Sequence, residues 1–509
     1  MILRDLLETN IEKYGEYPFL FYKDLSYTNT ETKMFSDHLA NGLHEIGIQK
    51  GDRVIVCMPN CPEVLFSYQG ISRAGAIVVP VMFMLHPNEI HYIALNSGAK
   101  AIITSSHIVA NIEKAVEELP SKPIIITADV PTNESAYNIY DVMKKTPPST
   151  TTASESQISE NDTAIILYTS GTTGKPKGVV LTHKNLYSNA VNSSEHSGND
   201  DQGTTLGVLP LAHVYGLTIS NICYLTGSSI AVFPKFDVKE VFEAIEKHKV
   251  KSFSVVPAMI YAMLSSPDAE KYDTSSLESV GSGSAPLPVA MIHAFKEKFH
   301  ADVLEGYGLS EAAPIVSRHI RGETIKPGSV GVPIPGVEIK IVDDDGNELP
   351  RGDVGELIVR GDSITPGYFQ NVEETRRVLR DGWLFTGDMA KMDEDGYLFI
   401  VDRKKDLIIR GGFNLYPRDV EEILSTHEGV SEVAVVGVPD ERMGEEMVAC
   451  VVKKPESNIT ELELIQYCQQ RLAKHKTPRR VIFLESLPRN GVGKILKTHL
   501  RKTAAEIMI

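Results

Sequence analysis

Cysteine is scarce in this 509-residue chain. The five thiols, at positions 57, 61, 223, 450 and 468, are odd in number and scattered, and no second Cys or His pair follows Cys57 and Cys61 at zinc spacing. That pattern excludes a disulfide framework and a zinc ribbon and leaves free core thiols. Long apolar runs are also missing. The greasiest stretches, Ala74–Leu85 and Val255–Leu264, are interrupted by Gly or Pro and are too short to span a bilayer. Met1–Asn10 mixes acids with apolar residues and does not read as a secretory leader. No basic excess exists: 51 Lys+Arg face 67 Asp+Glu, a formal net charge of −16. General nucleic-acid binding is therefore disfavoured, although a local basic pocket for phosphates is not. No internal repeat or low-complexity tract is present. With 42% hydrophobic and 23% charged residues, the composition is that of a globular protein. The length allows about two to four folding units. The expectation is a soluble, cytoplasmic, multi-domain protein.

Short apolar runs alternate with helical stretches through most of the chain. Strands are expected at Arg53–Met58, Ala101–Thr104, Pro123–Thr127, Thr163–Tyr168, Thr204–Leu209, Ser229–Phe233 and Ser252–Val256. Between them, Val238–His248 follows Asp237 and carries Val238, Val241, Phe242 and Ile245 on one helical face. The alternation predicts largely parallel sheets covered by helices, an α/β class. Thr146–Asp162, rich in Thr, Ser and Pro, reads as a loop between two such units. After about Gly322 the texture changes to short strands and Gly/Asp turns, as in Val337–Val342 and Gly355–Val359, which predicts antiparallel, barrel-like β structure. The last hundred or so residues read as a compact α+β unit. Pro417 opens a helix with Val420, Ile423 and Leu424 inward, Val433–Val438 and Met447–Val452 are strands, and Thr460–Glu463 is a capping box. The helix that box starts is expected to turn Leu462, Ile465, Cys468 and Leu472 inward.

Tyr168–Gly178 (YTSGTTGKPKG) is the densest chemical signal, with four Ser/Thr hydroxyls, three glycines and two lysines. Glycines let backbone N–H groups approach an anion, hydroxyls add donors and lysines offset phosphate charge. The loop follows a strand-like run and precedes Thr182, which can cap a helix. Phosphate binding outweighs an ordinary solvated connection. It is not a P-loop: counting from Gly171, the last three positions are Pro176, Lys177 and Gly178.

Tyr168–Gly178 resembles the signature of the adenylate-forming superfamily, whose members include acyl-CoA synthetases, aryl-CoA ligases, luciferases and peptide-synthetase adenylation domains. Further motifs follow in the family's order: Leu209-Pro-Leu-Ala-His-Val-Tyr-Gly216, Gly281-Ser-Gly-Ser-Ala-Pro286 and Glu305-Gly-Tyr-Gly-Leu-Ser-Glu311. Asp381–Asp388, Asp402–Asp406 and Pro488–Ile495 complete the set, so the resemblance covers essentially the whole chain.

The resemblance implies a large N-terminal domain, 1–402, with two doubly wound α/β subdomains and a β-barrel-like subdomain. A hinge at 403–406 and a small mobile α+β domain, 407–509, would follow. In such enzymes a carboxylate attacks the α-phosphate of ATP and releases pyrophosphate, and a thiol, usually that of CoA, then displaces AMP. By resemblance, Thr169, Ser170, Gly171, Thr172, Thr173 and Lys177 hold the β- and γ-phosphates, and Thr169 and Glu311 carry Mg²⁺. Tyr307 lies against adenine, Gly283, Ser284 and Ala285 form the facing wall, and Glu305, Gly306, Gly308 and Ser310 complete the nucleotide motif. Asp388 and Arg403 meet the ribose. Lys494 is the adenylation lysine and acts with Lys177 and Glu311; Val492 stands where the family has a small polar residue. Lys405 is the hinge residue, and Gly411 and Gly412 pass the pantetheine arm of CoA. Arg410, Lys474, Lys476 and Arg479 read equally as partners of CoA phosphates and as an ordinary basic surface.

The acyl pocket implied by the motifs comprises His213, Val214, Tyr215, Gly216, Val256, Met259, Gly281 and Leu309. No Asp or Glu stands in Ala212–Gly216 to pair an ammonium, which disfavours amino acids. Ile409 stands where aryl ligases and luciferases tend to carry lysine, so the chain most resembles fatty-acid–CoA ligases. A medium- to long-chain fatty acid is expected, with an aryl or alicyclic acid second. A carrier-protein acceptor, a luciferase-like oxygenase and a non-catalytic nucleotide-binding protein remain as alternatives, and monomer and homodimer are both open.

Overall fold

The computed structural model describes residues 1–129, 137–144, 158–169, 176–197, 202–285, 287–489 and 495–508. An eight-stranded sheet organises the first unit. From one edge its strands are Gly367–Tyr368, Lys177–Thr182, Thr163–Thr169, Ile77–Pro80, Arg53–Cys57, Ala101–Thr104, Ile124–Thr127 and Tyr137–Asn138. The six from Thr163–Thr169 onward run parallel, and Lys177–Thr182 returns antiparallel to Thr163–Thr169. Both faces are buried, and the pleat sorts the side chains. Val54 and Val56 pack toward helices Asn29–Glu45 and Pro62–Arg73, while Ile55 and Cys57 pack toward helices Pro87–Ser97 and Val109–Val116. That is the doubly wound layering.

A second α/β unit uses two sheets. One has the order Thr204–Gly207, Ser229–Val232, Pro18–Tyr22 and Leu25–Thr28; the other has Ser252–Val255, Ser279–Ser282, Asp302–Gly308, Ile315–Arg318 and Val332–Pro333. Thr205 Oγ1 donates to Ser252 O at 3.1 Å across the seam. Helix Val238–His248 shows why these elements form. The Asp237 carboxylate accepts from the N–H of Lys239 (3.0 Å) and Glu240 (3.2 Å), and Val241, Phe242, Ala244 and Ile245 are buried. Lys249, in the left-handed region at φ 49°, ends it.

The β-rich expectation takes the form of an antiparallel sheet of Val337–Val342, Gly355–Gly361, Trp383–Met392 and Leu379–Arg380, with Leu398–Arg403 on Trp383–Met392. Register shifts at Glu356/Ile358 and Met389/Ala390 bend it, and among the described residues its path does not close into a barrel. Leu398–Arg403 is followed by a single 3₁₀ turn, Lys404–Asp406, and then by the C-terminal sheet beginning at Ile408–Arg410. This last sheet is buried on both faces, Val435 and Ala449 toward one core and Val436 and Val448 toward the other.

Helix Glu461–Gln469 has the Thr460–Glu463 capping box, but its inward face differs from expectation. Leu464 and Cys468 are buried, Ile465 and Leu472 are partly buried, and Leu462 is 63% exposed. Four-residue spacing from Cys468 selects Leu464, and Leu462 falls on the solvent side. Of the five thiols, Cys57, Cys223, Cys450 and Cys468 are buried and Cys61 is half-buried, all unpaired. No helix among the described residues is long and apolar enough to cross a membrane.

Candidate active site

Parallel strands of both α/β units end at one place, and the loops leaving their carboxyl ends line a cleft of about 1030 Å³. Ligands of open α/β sheets bind at such ends, and the volume admits a nucleotide together with an acid. Thr169 closes strand Thr163–Thr169, Ser282–Ser284 continue strand Ser279–Ser282, and Tyr307 and Gly308 close strand Asp302–Gly308. Ser170, Gly171, Thr172, Thr173 and Lys494 lie outside the described residues. Thr169 and Lys177 face each other in register on adjacent antiparallel strands. Thr182 Oγ1 accepts from the Asn185 N–H at 3.1 Å, capping the helix that follows.

The polar end of the cleft is a set of paired groups. Tyr307 Oη donates to Asp388 Oδ2 at 2.5 Å, and Arg403 Nε meets Asp388 Oδ1 at 2.8 Å. The pairing follows from the sheet, since Asp388 and Arg403 are register partners on adjacent strands. Burial and the Asp388 charge hold the Tyr307 phenol well above its usual range, so it remains a donor. Tyr368 Oη donates to Glu311 Oε1 at 2.7 Å, and Lys177 Nζ donates to Glu374 Oε1 at 2.6 Å. Gly308 is required by close approach: a Cβ there would stand 2.3 Å from Pro314 O. Ser284 reaches the cleft through a left-handed backbone, φ 70°.

At the apolar end are His213, Val214, Tyr215, Val256, Gly281 and Leu309. His213 caps helix Val214–Thr226 by accepting the Tyr215 N–H at 3.3 Å, and burial pushes it down to about 4, so it is neutral near pH 7. Tyr215 Oη and Ser254 Oγ are hydrogen bonded at 3.1 Å, and a Cβ on Gly281 would lie 3.7 Å from the Tyr215 oxygen.

Several expected residues are not at the cleft. Glu305 faces the other side of its strand from the cleft-lining Leu304, is 6% exposed, and its Oε2 has no hydrogen-bond partner. Burial pushes its carboxyl up to about 7, against the pull of Arg418 and the backbone of Gly328 and Leu287. Met259 packs into the core of the second α/β unit. Gly216 is a packing position, where a Cβ would stand 2.4 Å from Pro210 O, and it lines a separate small apolar void. Ala285 is exposed beside the cleft. Asp388 lies just behind the lining, reached through Tyr307 and Arg403. Gly411 and Gly412, at φ 58° and 82°, form the turn of a hairpin of the C-terminal unit, away from the cleft.

The C-terminal unit reaches the cleft instead through Leu496. Arg418 N–H donates to Asp402 Oδ2 at 3.2 Å and its guanidinium to Ile400 O. Between the units, Lys404 Nζ is bound to Asp344 (2.8 Å) and Glu356 (2.9 Å), and Asp406 to Arg501 (2.6 Å). Lys405 lies between these anchors and lines the cleft; burial and the Arg403 charge lower its pKa. Glu374, Arg377 and Tyr368 had no signal in the sequence, because Glu374 is 197 residues from Lys177 and belongs to no phosphate motif.

A nucleotide-sized cleft between two α/β units, closed by a small C-terminal unit, defines an adenylate-forming enzyme. The sequence pattern of the AMP-binding enzyme family matches residues 7–369, and that of the AMP-binding enzyme C-terminal domain matches residues 419–494. The chain belongs to this family, and within it is an AMP-forming acyl-CoA ligase using ATP and CoA. It is 38% identical to a long-chain-fatty-acid–CoA ligase of Bacillus subtilis over 487 residues, 90% of this chain and 87% of the relative. It is 36% identical over 512 residues to 4-coumarate–CoA ligase 1 of Solanum tuberosum, covering 97% and 92%. The crystal structure of ATP-bound MatB from Rhodopseudomonas palustris, 30% identical, superposes with a TM-score of 0.92 over 100% of both chains.

Proposed function

We propose that the acid this ligase activates is a medium- to long-chain fatty acid, in the cytoplasm. The observation that carries this reading is the apolar end of the cleft. His213, which is neutral, Val214, Tyr215, Val256, Gly281 and Leu309 line it together, and none of these six is a carboxylate that would pair a substrate ammonium or a cation that would meet a second carboxylate. The resemblance to fatty-acid ligases points the same way.

The acid's carboxylate oxygen attacks the α-phosphorus and the bond to pyrophosphate breaks; the CoA thiol then attacks the acyl carbonyl and AMP leaves. Thr169, Lys177 and the loop 170–173 hold the β- and γ-phosphates. Mg²⁺ fits Thr169 and Glu311: both line the cleft, both offer hard oxygens, and Tyr368 occupies only one oxygen of Glu311. When bound, the cation offsets the charge of the polyphosphate. Asp388 retains acceptor capacity for ribose hydroxyls beyond its bonds to Tyr307 and Arg403. Gly283 and Ser284 wall the adenine against Tyr307, with Ala285 beside them outside the lining. Lys494, two residues before the cleft-lining Leu496, supplies the ammonium that bridges attacking carboxylate and α-phosphate. The domain boundary falls at 403–406. Lys404 is tied to the N-terminal domain and Asp406 to the C-terminal one, so rotation about Lys405 would withdraw Lys494 and bring Gly411 and Gly412 to the cleft for thioester formation.

The test is pyrophosphate release with ATP and Mg²⁺ across acetate, octanoate, palmitate, benzoate, cinnamate and amino acids, with and without CoA. CoA-dependent turnover peaking on aliphatic chains is the expected result. A maximum on cinnamate would replace the fatty acid by an aryl acid, and turnover indifferent to CoA would point to a carrier-protein acceptor.

A further inference from the structure

One carboxylate in the cleft runs against the chemistry expected there. Glu374 Oε1 accepts Lys177 Nζ at 2.6 Å, and the two side chains are only 14% and 12% exposed. A carboxylate touching a phosphate-binding lysine cancels its charge and repels the polyphosphate. The structure also holds the counterweight. Arg377, three residues further along the same helical turn, grips Glu374 with two donors, Nε to Oε2 at 2.8 Å and Nη2 to Oε1 at 2.6 Å. Two cations and one carboxylate leave one positive charge at the foot of the phosphate loop.

We propose that Arg377 is a positioning residue for ATP: by neutralising Glu374 it leaves the charge of Lys177 available to the polyphosphate, while Glu374 holds the ammonium opposite Thr169. A lysine ammonium has three donors, so Glu374 takes one and leaves two for phosphate oxygens. The bidentate fork is the geometry in which arginine binds carboxylate best, and lysine could not replace it. Arg377 acts from the rim, 61% exposed, so its effect is screened by salt. The helix-turn spacing between Glu374 and Arg377 keeps the fork in place without help from the nucleotide. The inference rests on Lys177 meeting the phosphates.

The experiment measures KM for ATP and affinity for AMP in wild type, Arg377→Gln, the double variant Glu374→Gln/Arg377→Gln, and Lys177→Gln. Arg377→Gln is expected to raise KM for ATP about tenfold, the effect of one uncompensated carboxylate several ångströms from the phosphates in a partly solvated cleft. AMP, which lacks the β- and γ-phosphates, should bind as before. Removing Glu374 as well should restore KM for ATP most of the way, and the defect of the single variant should shrink in high salt. An unchanged KM for ATP in Arg377→Gln, equal weakening of AMP, or a double variant as poor as the single would overturn the proposal. An unchanged KM in Lys177→Gln would instead remove the assignment of the phosphate site on which it rests.

Discussion

Replacing Glu305 by Gln tests the electrostatics of the domain boundary. Burial pushes this carboxyl from 4.5 up to about 7, and among the charges that act on it are Arg418 and Glu422, both on the first helix of the C-terminal domain. Its backbone carbonyl accepts from His319 Nδ1 at 3.1 Å, and burial lowers the His319 pKa, so that ring stays neutral above pH 6.5. Between pH 4.5 and 7 the folded chain keeps a proton that the unfolded chain has lost. The stability Glu305 contributes is therefore full below pH 4.5 and is lost as pH rises through about 7. The displacement is worth about 3 kcal/mol. Gln preserves the shape and cannot ionise. Any cost of its amide in that pocket is independent of pH, so the informative quantity is the stability of the variant minus that of wild type. That difference should move in favour of the variant by about 3 kcal/mol between pH 4 and pH 8.5. For a unit of about 400 residues this is about 3–4 °C in the first unfolding transition. Scanning calorimetry in matched buffers reads it. A difference that stays constant across that range would refute the argument, because it would mean that Glu305 titrates alike in the folded and unfolded chains.

Tyr307→Phe removes the donor to the buried Asp388 and should weaken ATP binding about tenfold while lowering the melting temperature, since an under-satisfied buried carboxylate costs about 1–3 kcal/mol; titration calorimetry and thermal melts check both. Gly308→Ala forces a methyl against the Pro314 carbonyl and should destabilise the N-terminal domain by about 1–3 kcal/mol, read by urea denaturation. Lys494→Ala should cut pyrophosphate release by about a hundredfold or more but spare CoA transfer from pre-formed acyl-AMP, which stopped-flow mixing separates.

Much of the architecture was legible in the chain because parallel strands buried on both faces leave continuous apolar runs. Arg53–Cys57 and Ala101–Thr104 are such runs, and Asp237 marks the start of its helix unambiguously. The polar site was legible where a residue sits within a short motif at a strand's carboxyl end, as Thr169, Tyr307 and Glu311 do. Three kinds of information were not local. Side-chain direction is one: the motif containing Glu305 names the strand, but pleating turns that residue away from the cleft. Helical register is another, since Leu462 and Leu464 both satisfy an apolar spacing and only tertiary packing against helix Pro417–Ser425 and strand Arg480–Phe483 chooses between them. The third is pairing across distance. The Lys177–Glu374 contact and the Glu305–Arg418 proximity join residues that no window of sequence contains.

The placement of the cysteines has a chemical consequence for an enzyme that makes a mixed anhydride of a carboxylic acid and AMP. Such a species acylates any thiolate within reach, and the attacking form of a thiol is the thiolate. None of the five cysteines lines the cleft. Burial pushes Cys57 and Cys223 up to about 12 and Cys450 and Cys468 up to about 11, and it holds the half-buried Cys61 well above the ordinary thiol range. The folded chain thus presents no competing sulfur nucleophile near its own product. The fold protects the intermediate from self-acylation, so the thiol that discharges it is the one CoA brings in.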